Sequence, residues 1–289
     1  MKILIFGAGG MIGHKMFQVL KSKEFQVFGT LKQSRSNYEK FNIFDSQNSF
    51  ENLDILNGDQ VQHVLNEVQP DAILNCIGIT LRKPEISNLD YCLKVNSQFP
   101  QFLKNWCENN RSYLIHFSTD CVFSGKDGPY SEKSFTSAAD IYGRTKALGE
   151  VFSDAALILR GSMIGPELFG KTELLEWAFQ QKEKSIKGFT KALYSGVTTQ
   201  VMANLVADLL VVPEKLVGLY QVSSEPISKY DLLTLLNRSF QLNMKIAQDL
   251  SVSTEKILSS EKLFRKIAYR CPEWPVMVDE LVKENLNSK

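Results

Sequence analysis

Residues 2–20 read KILIFGAGGMIGHKMFQVL: a short apolar run, a glycine-rich turn, and a stretch with a helical pattern. The glycines that matter are Gly7, Gly10 and Gly13. The first permits a tight turn, the second lets backbone come close to a pyrophosphate, and the third allows close helix packing. A helix starting at such a turn offers free N–H groups and the positive end of its dipole to phosphates. The spacing is G-x-x-G-x-x-G; the commoner G-x-G-x-x-G would need glycine at position 12, which is Ile12. The turn therefore predicts a dinucleotide site at the first strand-to-helix junction. His14, in the first helical turn, reads as a surface or capping residue.

Outward from this turn, apolar runs alternate with helical patterns: QVFGT, DQVQHVLNEVQ, AILNCIG, VNSQFPQFLKNWCENN and YLIHFST. That alternation predicts an α/β protein with a doubly wound, parallel Rossmann sheet and helices on both faces. It weakens after ALILRGSMIG. Residues 1–162 read as a dinucleotide-binding domain, and residues 163–289 as mainly a smaller, interleaved substrate-binding lobe with segments returning to the first. That lobe has helical segments near ELLEWAFQQ, VMANLVADLL and KYDLLTLLNRSF and an isolated strand at GLYQVSS. Ligands of such sheets bind outside the carboxyl ends of the strands.

Composition narrows the class. The 289 residues carry 33 Lys+Arg against 32 Asp+Glu, a net charge of +1, so no strong pull toward nucleic acid or an anionic membrane is expected. Five scattered cysteines without a CxxC pair suggest neither a disulfide framework nor a metal site, and a reducing, cytoplasmic setting is expected. No stretch approaches a membrane span or a secretory leader.

The cofactor is read from the end of the second strand. An acid there would accept from a ribose, and a base would pair with a 2′-phosphate. FGTLKQSRS has Thr30, Lys32 and Arg35 and no acid, which favours NADP(H), with NAD(H) as the alternative. Asp54, after a short third strand, reads either as an acceptor for the adenine amino group or as a helix N-cap. The expected cofactor set is Gly7, Gly10, Met11, Ile12 and Gly13; Thr30, Lys32 and Arg35; Asp54 and Ile55; Cys76, Ile77 and Gly78; and Tyr142 and Lys146.

The chemistry is most explicit in IYGRTKALGE. Tyr142 and Lys146 share a helix face, and a nearby ammonium moves a phenol's pKa from about 10 toward neutrality. SYLIHF ends in Ser118, Thr119 and Asp120, polar groups where packing alone would choose apolar ones, as a strand entering a ligand cleft would. Thr119 can hydrogen-bond a substrate oxygen while Tyr142 exchanges its proton.

G-x-x-G-x-x-G, Asn75 in ILNCIG, STD after a strand and YGRTK together resemble the extended short-chain dehydrogenase/reductase superfamily. Within it, STDCVFSGKDGPYSE and YGRTKALGE are similar to the dTDP-4-dehydrorhamnose reductases and related sugar-nucleotide reductases. The resemblance implies a catalytic triad of Thr119, Tyr142 and Lys146, with Lys146 also holding the nicotinamide ribose. It implies a substrate site that includes Ser118, Asp120, Cys121 and Met163, and NADPH-dependent reduction of the C4 keto group of a nucleoside-diphosphate 4-keto-6-deoxy sugar in glycan precursor synthesis.

Cys121, Ser124 and Met163 depart from the tyrosine, aspartate and tryptophan usual there, leaving room for a 2-acetamido group. A UDP-linked N-acetylated sugar is therefore weighed against dTDP-4-dehydrorhamnose. Related dehydratases carry Asp-Glu after the threonine, and epimerases usually place small or hydroxyl residues at Asp120. The alternatives to a reductase are an epimerase or a non-catalytic NADP-binding regulatory subunit, as the methionine adenosyltransferase regulatory subunit resembles the same enzymes. The base, the stereochemistry and the oligomeric state, a homodimer among the options, stay open.

Overall fold

The computed structural model describes residues 1–287. The opening run becomes β1 (Lys2–Phe6) and the stretch after the glycine turn becomes α1 (Met11–Ser22). There follow β2 (Gln26–Thr30), β3 (Ser49–Phe50), α2 (Gly58–Val68), β4 (Ala72–Asn75), α3 (Leu89–Leu93), α4 (Phe99–Asn110), β5 (Tyr113–Ser118), α5 (Ile141–Leu148) and β6 (Ala156–Arg160). Between α3 and α4, Lys94–Gln98 forms a π-helical turn that runs directly into α4, with Pro100 in the first turn of α4. Then come β7 (Met163–Ile164), α6 (Leu174–Gln180), β8 (Ser185–Tyr194), β9 (Val197–Thr198), α7 (Thr199–Val211), β10 (Gly218–Gln221), β11 (Ile227–Ser228), α8 (Lys229–Ser239), β12 (Lys245–Lys256), α9 (Glu261–Ile267) and α10 (Trp274–Asn287).

The chain divides into two compact units, the first comprising Met1–Ser118, Asp140–Leu159 and Ala203–Leu219. It is built on a seven-stranded sheet in the order β10-β6-β5-β4-β1-β2-β3, with β1 parallel to β2 and β4, β2 to β3, and β4 to β5. β1, β4 and β5 are apolar almost throughout because the sheet is covered on both faces. Phe6, Ile73 and Leu114 pack with Leu65, Val68, Phe99 and Leu103 from α2 and α4 in one core. Val61, Val64, Leu65 and Val68 recur at helical spacing and form the buried stripe of α2, whose first turn is capped by Asn57 accepting from the Gln60 N–H. Each such side chain contributes about 1.5–3 kcal/mol on burial.

The second unit comprises Thr119–Ala139, Arg160–Met202 and Tyr220–Lys289. Its three-stranded sheet has the order β11-β8-β12, with β8 parallel to β12 and antiparallel to β11. The main division, at Leu159/Arg160, falls close to residue 162 and a later segment returns to the first unit, but Thr119–Ala139 departs from the expected bounds. Thr119–Ala139 goes with the second unit because the Gly125 carbonyl accepts from Glu255 N, and the Tyr130 N–H donates to Ile257 O. Ala203–Leu219 goes with the first; there the Tyr113 hydroxyl donates to the Leu216 carbonyl.

The short third strand expected before Asp54 is β3, which ends at Phe50. Two further expectations are corrected. The strand at GLYQVSS is not isolated: β10 is an end strand of the main sheet, paired with residues distant in sequence. His14 is buried, with Nδ1 2.8 Å from the Gly10 carbonyl, because α1 turns that face onto the sheet. Among the described residues, no helix is long and apolar enough to cross a membrane and no cluster of side chains is arranged to hold a metal ion.

Candidate active site

Each glycine of the first turn has its own geometric reason. Gly7 sits at φ +81°, a left-handed conformation costly for other residues, and its N–H donates to Thr30 Oγ1 at 3.1 Å. A β-carbon on Gly13 would lie 2.0 Å from the Gly7 carbonyl oxygen, so only glycine lets α1 start that close to β1. The α1 N-cap, Gly10, makes no side-chain cap bond, and the first turn holds no acid. Its N–H groups and positive dipole end therefore suit an anion.

Beside this turn lies a cleft of about 470 Å³ in the first unit. Of the expected cofactor residues, Gly7, Gly10, Thr30, Lys32, Asp54, Ile55, Cys76, Ile77 and Gly78 line it. Met11, Ile12, Gly13, Arg35, Tyr142 and Lys146 do not: Met11 and Ile12 are in the first turn of α1, Gly13 packs on Gly7, Arg35 is engaged elsewhere, and Tyr142 and Lys146 lie on α5. Arg35 Nε donates to Ser49 Oγ at 2.9 Å, Nη2 donates to Ser49 O at 2.9 Å, and Nη1 lies 3.9 Å from Glu51. The stretch after β2 thus does meet an acid, Glu51, one residue beyond β3. Lys32 stays exposed, with only a 4.0 Å ion pair to Glu85. Asp54 Oδ1 accepts from Leu56 N in a turn, and Asn57 rather than Asp54 caps α2.

Tyr142 and Lys146 lie one helical turn apart on α5, which is capped by Asp140 accepting from Gly143 N at 2.8 Å. Lys146 is buried, its Nζ donates to the Phe117 carbonyl at 2.7 Å, and a β-carbon on Gly78 would come within 3.9 Å of it. The ammonium is thereby placed against the wall of the cleft. Burial pushes the Lys146 pKa down to about 8, opposed by the charge of Glu150. Ser118 Oγ donates to Glu150 Oε1 at 2.6 Å.

Of the residues that hold this arrangement, sequence reading singled out Asn75 and missed Asn96, Gly149 and His116. Asn96, fully buried in the π-helical turn, accepts from Ile79 N at 2.8 Å and donates to Ile79 O and to Thr145 Oγ1. A β-carbon on Gly149 would lie 1.9 Å from the Asn96 carbonyl, so glycine lets α5 close on that turn. Asn75 Oδ1 accepts from Ile77 N, which turns its amide nitrogen toward His116 Nδ1 at 3.1 Å and leaves the histidine proton on Nε2. Burial holds the His116 pKa well below its usual value. The available signal was a polar residue in each of the apolar runs AILN and YLIHF; Asn96, in the mixed stretch LKVNSQF, carried no such signal.

In the second unit, Thr119 Oγ1 donates to Asp120 Oδ1 at 3.2 Å and accepts from Cys121 N at 3.1 Å, capping the turn Asp120–Val122. Burial and the Asp120 charge push the Cys121 thiol up to about 12, and Lys256 Nζ lies 3.5 Å from its sulfur. Met163 is half-buried on β7, opposite Val197 of β9.

Similarity to known proteins agrees with this geometry. A dTDP-4-dehydrorhamnose reductase of Aggregatibacter actinomycetemcomitans is 27% identical over 241 residues, 80% of this chain and 76% of that one. Methionine adenosyltransferase 2 subunit beta of Rattus norvegicus is 28% identical over 182 residues, 61% of this chain and 49% of that one. Among solved structures, a dTDP-4-dehydrorhamnose reductase from Bacillus anthracis in complex with NADP matches with a TM-score of 0.80 at 19% identity, covering 98% of this chain and 99% of that one. UDP-glucose 4-epimerase from Thermotoga maritima with UDP-glucose matches with a TM-score of 0.80 at 14% identity, covering 100% and 99%. The family model described as the RmlD substrate binding domain matches residues 1–232: the chain belongs to that family, on a fold of the extended short-chain dehydrogenase/reductase type.

Proposed function

We propose that the protein reduces the C4 keto group of a nucleoside-diphosphate 4-keto-6-deoxy sugar with NADPH, in the synthesis of a glycan precursor. The observation that carries this reading is the buried Lys146 ammonium, set against Gly78 of the cleft and one helical turn from Tyr142. A nicotinamide cofactor supplies the hydride for the carbonyl carbon.

The turn at Gly7 and Gly10 and the uncapped start of α1 suit its pyrophosphate, Asp54 its adenine, and Lys32 a 2′-phosphate. Lys146 holds the nicotinamide ribose, and its charge stabilises the phenolate of Tyr142. Tyr142 then releases its proton to the oxygen that becomes the alcohol, and the role of the Thr119 hydroxyl, which donates to Asp120 Oδ1 in the free protein, is to turn and donate to a substrate oxygen. The Asn96 bonds to Ile79 and Thr145 hold the cleft wall and α5 in place.

Cys121 and Met163, flexible and smaller than the rings usual at those places, favour a bulkier hexose. A UDP-linked N-acetylated 4-keto-6-deoxy sugar is the substrate proposed over dTDP-4-dehydrorhamnose. Oxidation of NADPH, followed by absorbance against a panel of 4-keto-6-deoxy sugar nucleotides, tests both levels. Turnover of none refutes the reductase; a higher kcat/KM for dTDP-4-dehydrorhamnose refutes only the hexose.

Similarity to methionine adenosyltransferase 2 subunit beta supports a second reading, a regulatory subunit without turnover. NADPH binding without any turnover would favour it.

A further inference from the structure

Lys146 and Glu150 lie four residues apart and reach neighbouring residues at the end of β5. Lys146 Nζ donates to the carbonyl of Phe117, and Glu150 Oε1 accepts from Ser118 Oγ at 2.6 Å. The helix that carries Lys146 ends at Gly149, locked against the Asn96 carbonyl, so Glu150 leaves it at a set position. Other titratable groups face the ammonium: Cys76 just past β4, His116 on β5 and Tyr142 one turn earlier on α5. Burial keeps the Cys76 thiol protonated and the His116 ring neutral, so neither supplies a negative charge. A carboxylate hydrogen-bonded by the hydroxyl of Ser118, next in sequence to the residue whose carbonyl receives a buried ammonium, and whose charge opposes the loss of that ammonium's proton, is a counter-ion in a defined place.

We propose that Glu150 is a positioning residue for Lys146: tied to the end of β5 through Ser118, its carboxylate keeps the buried ammonium charged where Phe117 receives it. This rests on the reading of Lys146 as the cofactor-holding lysine. Through Lys146, Glu150 also sets the charge that Tyr142 feels. Its usefulness is physical: the site buries a lysine deeply enough to lose its proton near neutrality, and the carboxylate holds that proton on.

The test needs no sugar nucleotide. The dissociation constant of NADPH is measured from pH 5.5 to 10.5 for the full-length protein and its variants. Binding weakens as Lys146 loses its proton, and this titration disappears in Lys146→Met. Glu150→Gln keeps an oxygen that accepts from Ser118 but removes the charge, and should move the midpoint down by about one pH unit. Ser118→Ala keeps the charge but frees it, and should move the midpoint the same way by less. It decides the matter should Glu150→Gln fail to fold.

A merely structural Glu150 would change affinity at every pH and leave the midpoint in place. An unmoved midpoint in Glu150→Gln, or in Ser118→Ala should Glu150→Gln not fold, overturns the proposal, as does a titration that survives in Lys146→Met. Absence of turnover with sugar nucleotides would count against the reductase reading and leave this result standing.

Discussion

Replacing Lys146 by methionine is expected to make the cofactor-free protein more stable at pH 7 and less stable near pH 10.5. Burial lowers the Lys146 pKa from 10.5 to about 8, and only 4% of the residue is exposed, so solvent screens little of the effect. At about 1.4 kcal/mol per tenfold change, the folded state carries roughly 3 kcal/mol of cost for the charged form. Between about pH 8 and 10.5 the unfolded chain binds a proton that the native protein has released, so this group makes stability rise with pH across that window. Below pH 8 the whole cost is present.

Methionine fills similar space without charge but leaves the Phe117 carbonyl without its 2.7 Å donor, a loss of about 1 kcal/mol. The variant should therefore gain about 2 kcal/mol at pH 7, and the two curves should cross between pH 8 and 10.5. Urea unfolding followed by circular dichroism at intervals from pH 7 to 10.5 measures the difference, in which groups that titrate alike in both proteins cancel. Parallel stability curves, or a variant less stable at pH 7, would refute the reasoning that the ammonium is held at a cost.

Three other outcomes are expected. Tyr142→Phe should lower turnover by roughly 100-fold or more while the NADPH dissociation constant changes little, and unchanged turnover would remove the proposed proton donor. Lys32→Ala should narrow the preference for NADPH over NADH, whereas Arg35→Ala should leave the ratio of the two dissociation constants alone and lower the urea midpoint, because its guanidinium holds Ser49; equal shifts of the ratio in both variants would contradict this. Burial lowers the His14 pKa to about 4, so between pH 6.5 and 4 the native state binds fewer protons than the unfolded chain, and stability falls as pH falls. His14→Gln should flatten that loss by roughly 3 kcal/mol in denaturant titrations at pH 6.5 and 4.

The sequence by itself determined the parts whose cause is local. A glycine turn between an apolar run and a helix has one economical geometry, so Gly7, Gly10 and Gly13 announced both the first strand-to-helix junction and its affinity for phosphate. Residues four apart on a helix share a face, so the spacing of Tyr142 and Lys146 was enough to pair them. Alternation of apolar runs and helical stretches likewise indicated the parallel sheet.

Tertiary structure alone decided what depends on residues far apart in the chain. Glu51 reaches Arg35 only because β3 pairs with β2, which takes from Arg35 the cofactor contact its position suggested. β8 and β12 join residues such as Ser185 and Lys245, and their half-polar sequences carry little strand pattern because much of that sheet faces solvent. GLYQ looked isolated because its sheet partners lie elsewhere in the chain. Glu150 meets Ser118 across 32 residues, through the packing of Gly149 on Asn96. Contacts of that kind leave no period in the sequence, since each residue's role is set by a partner that only the folded chain brings near.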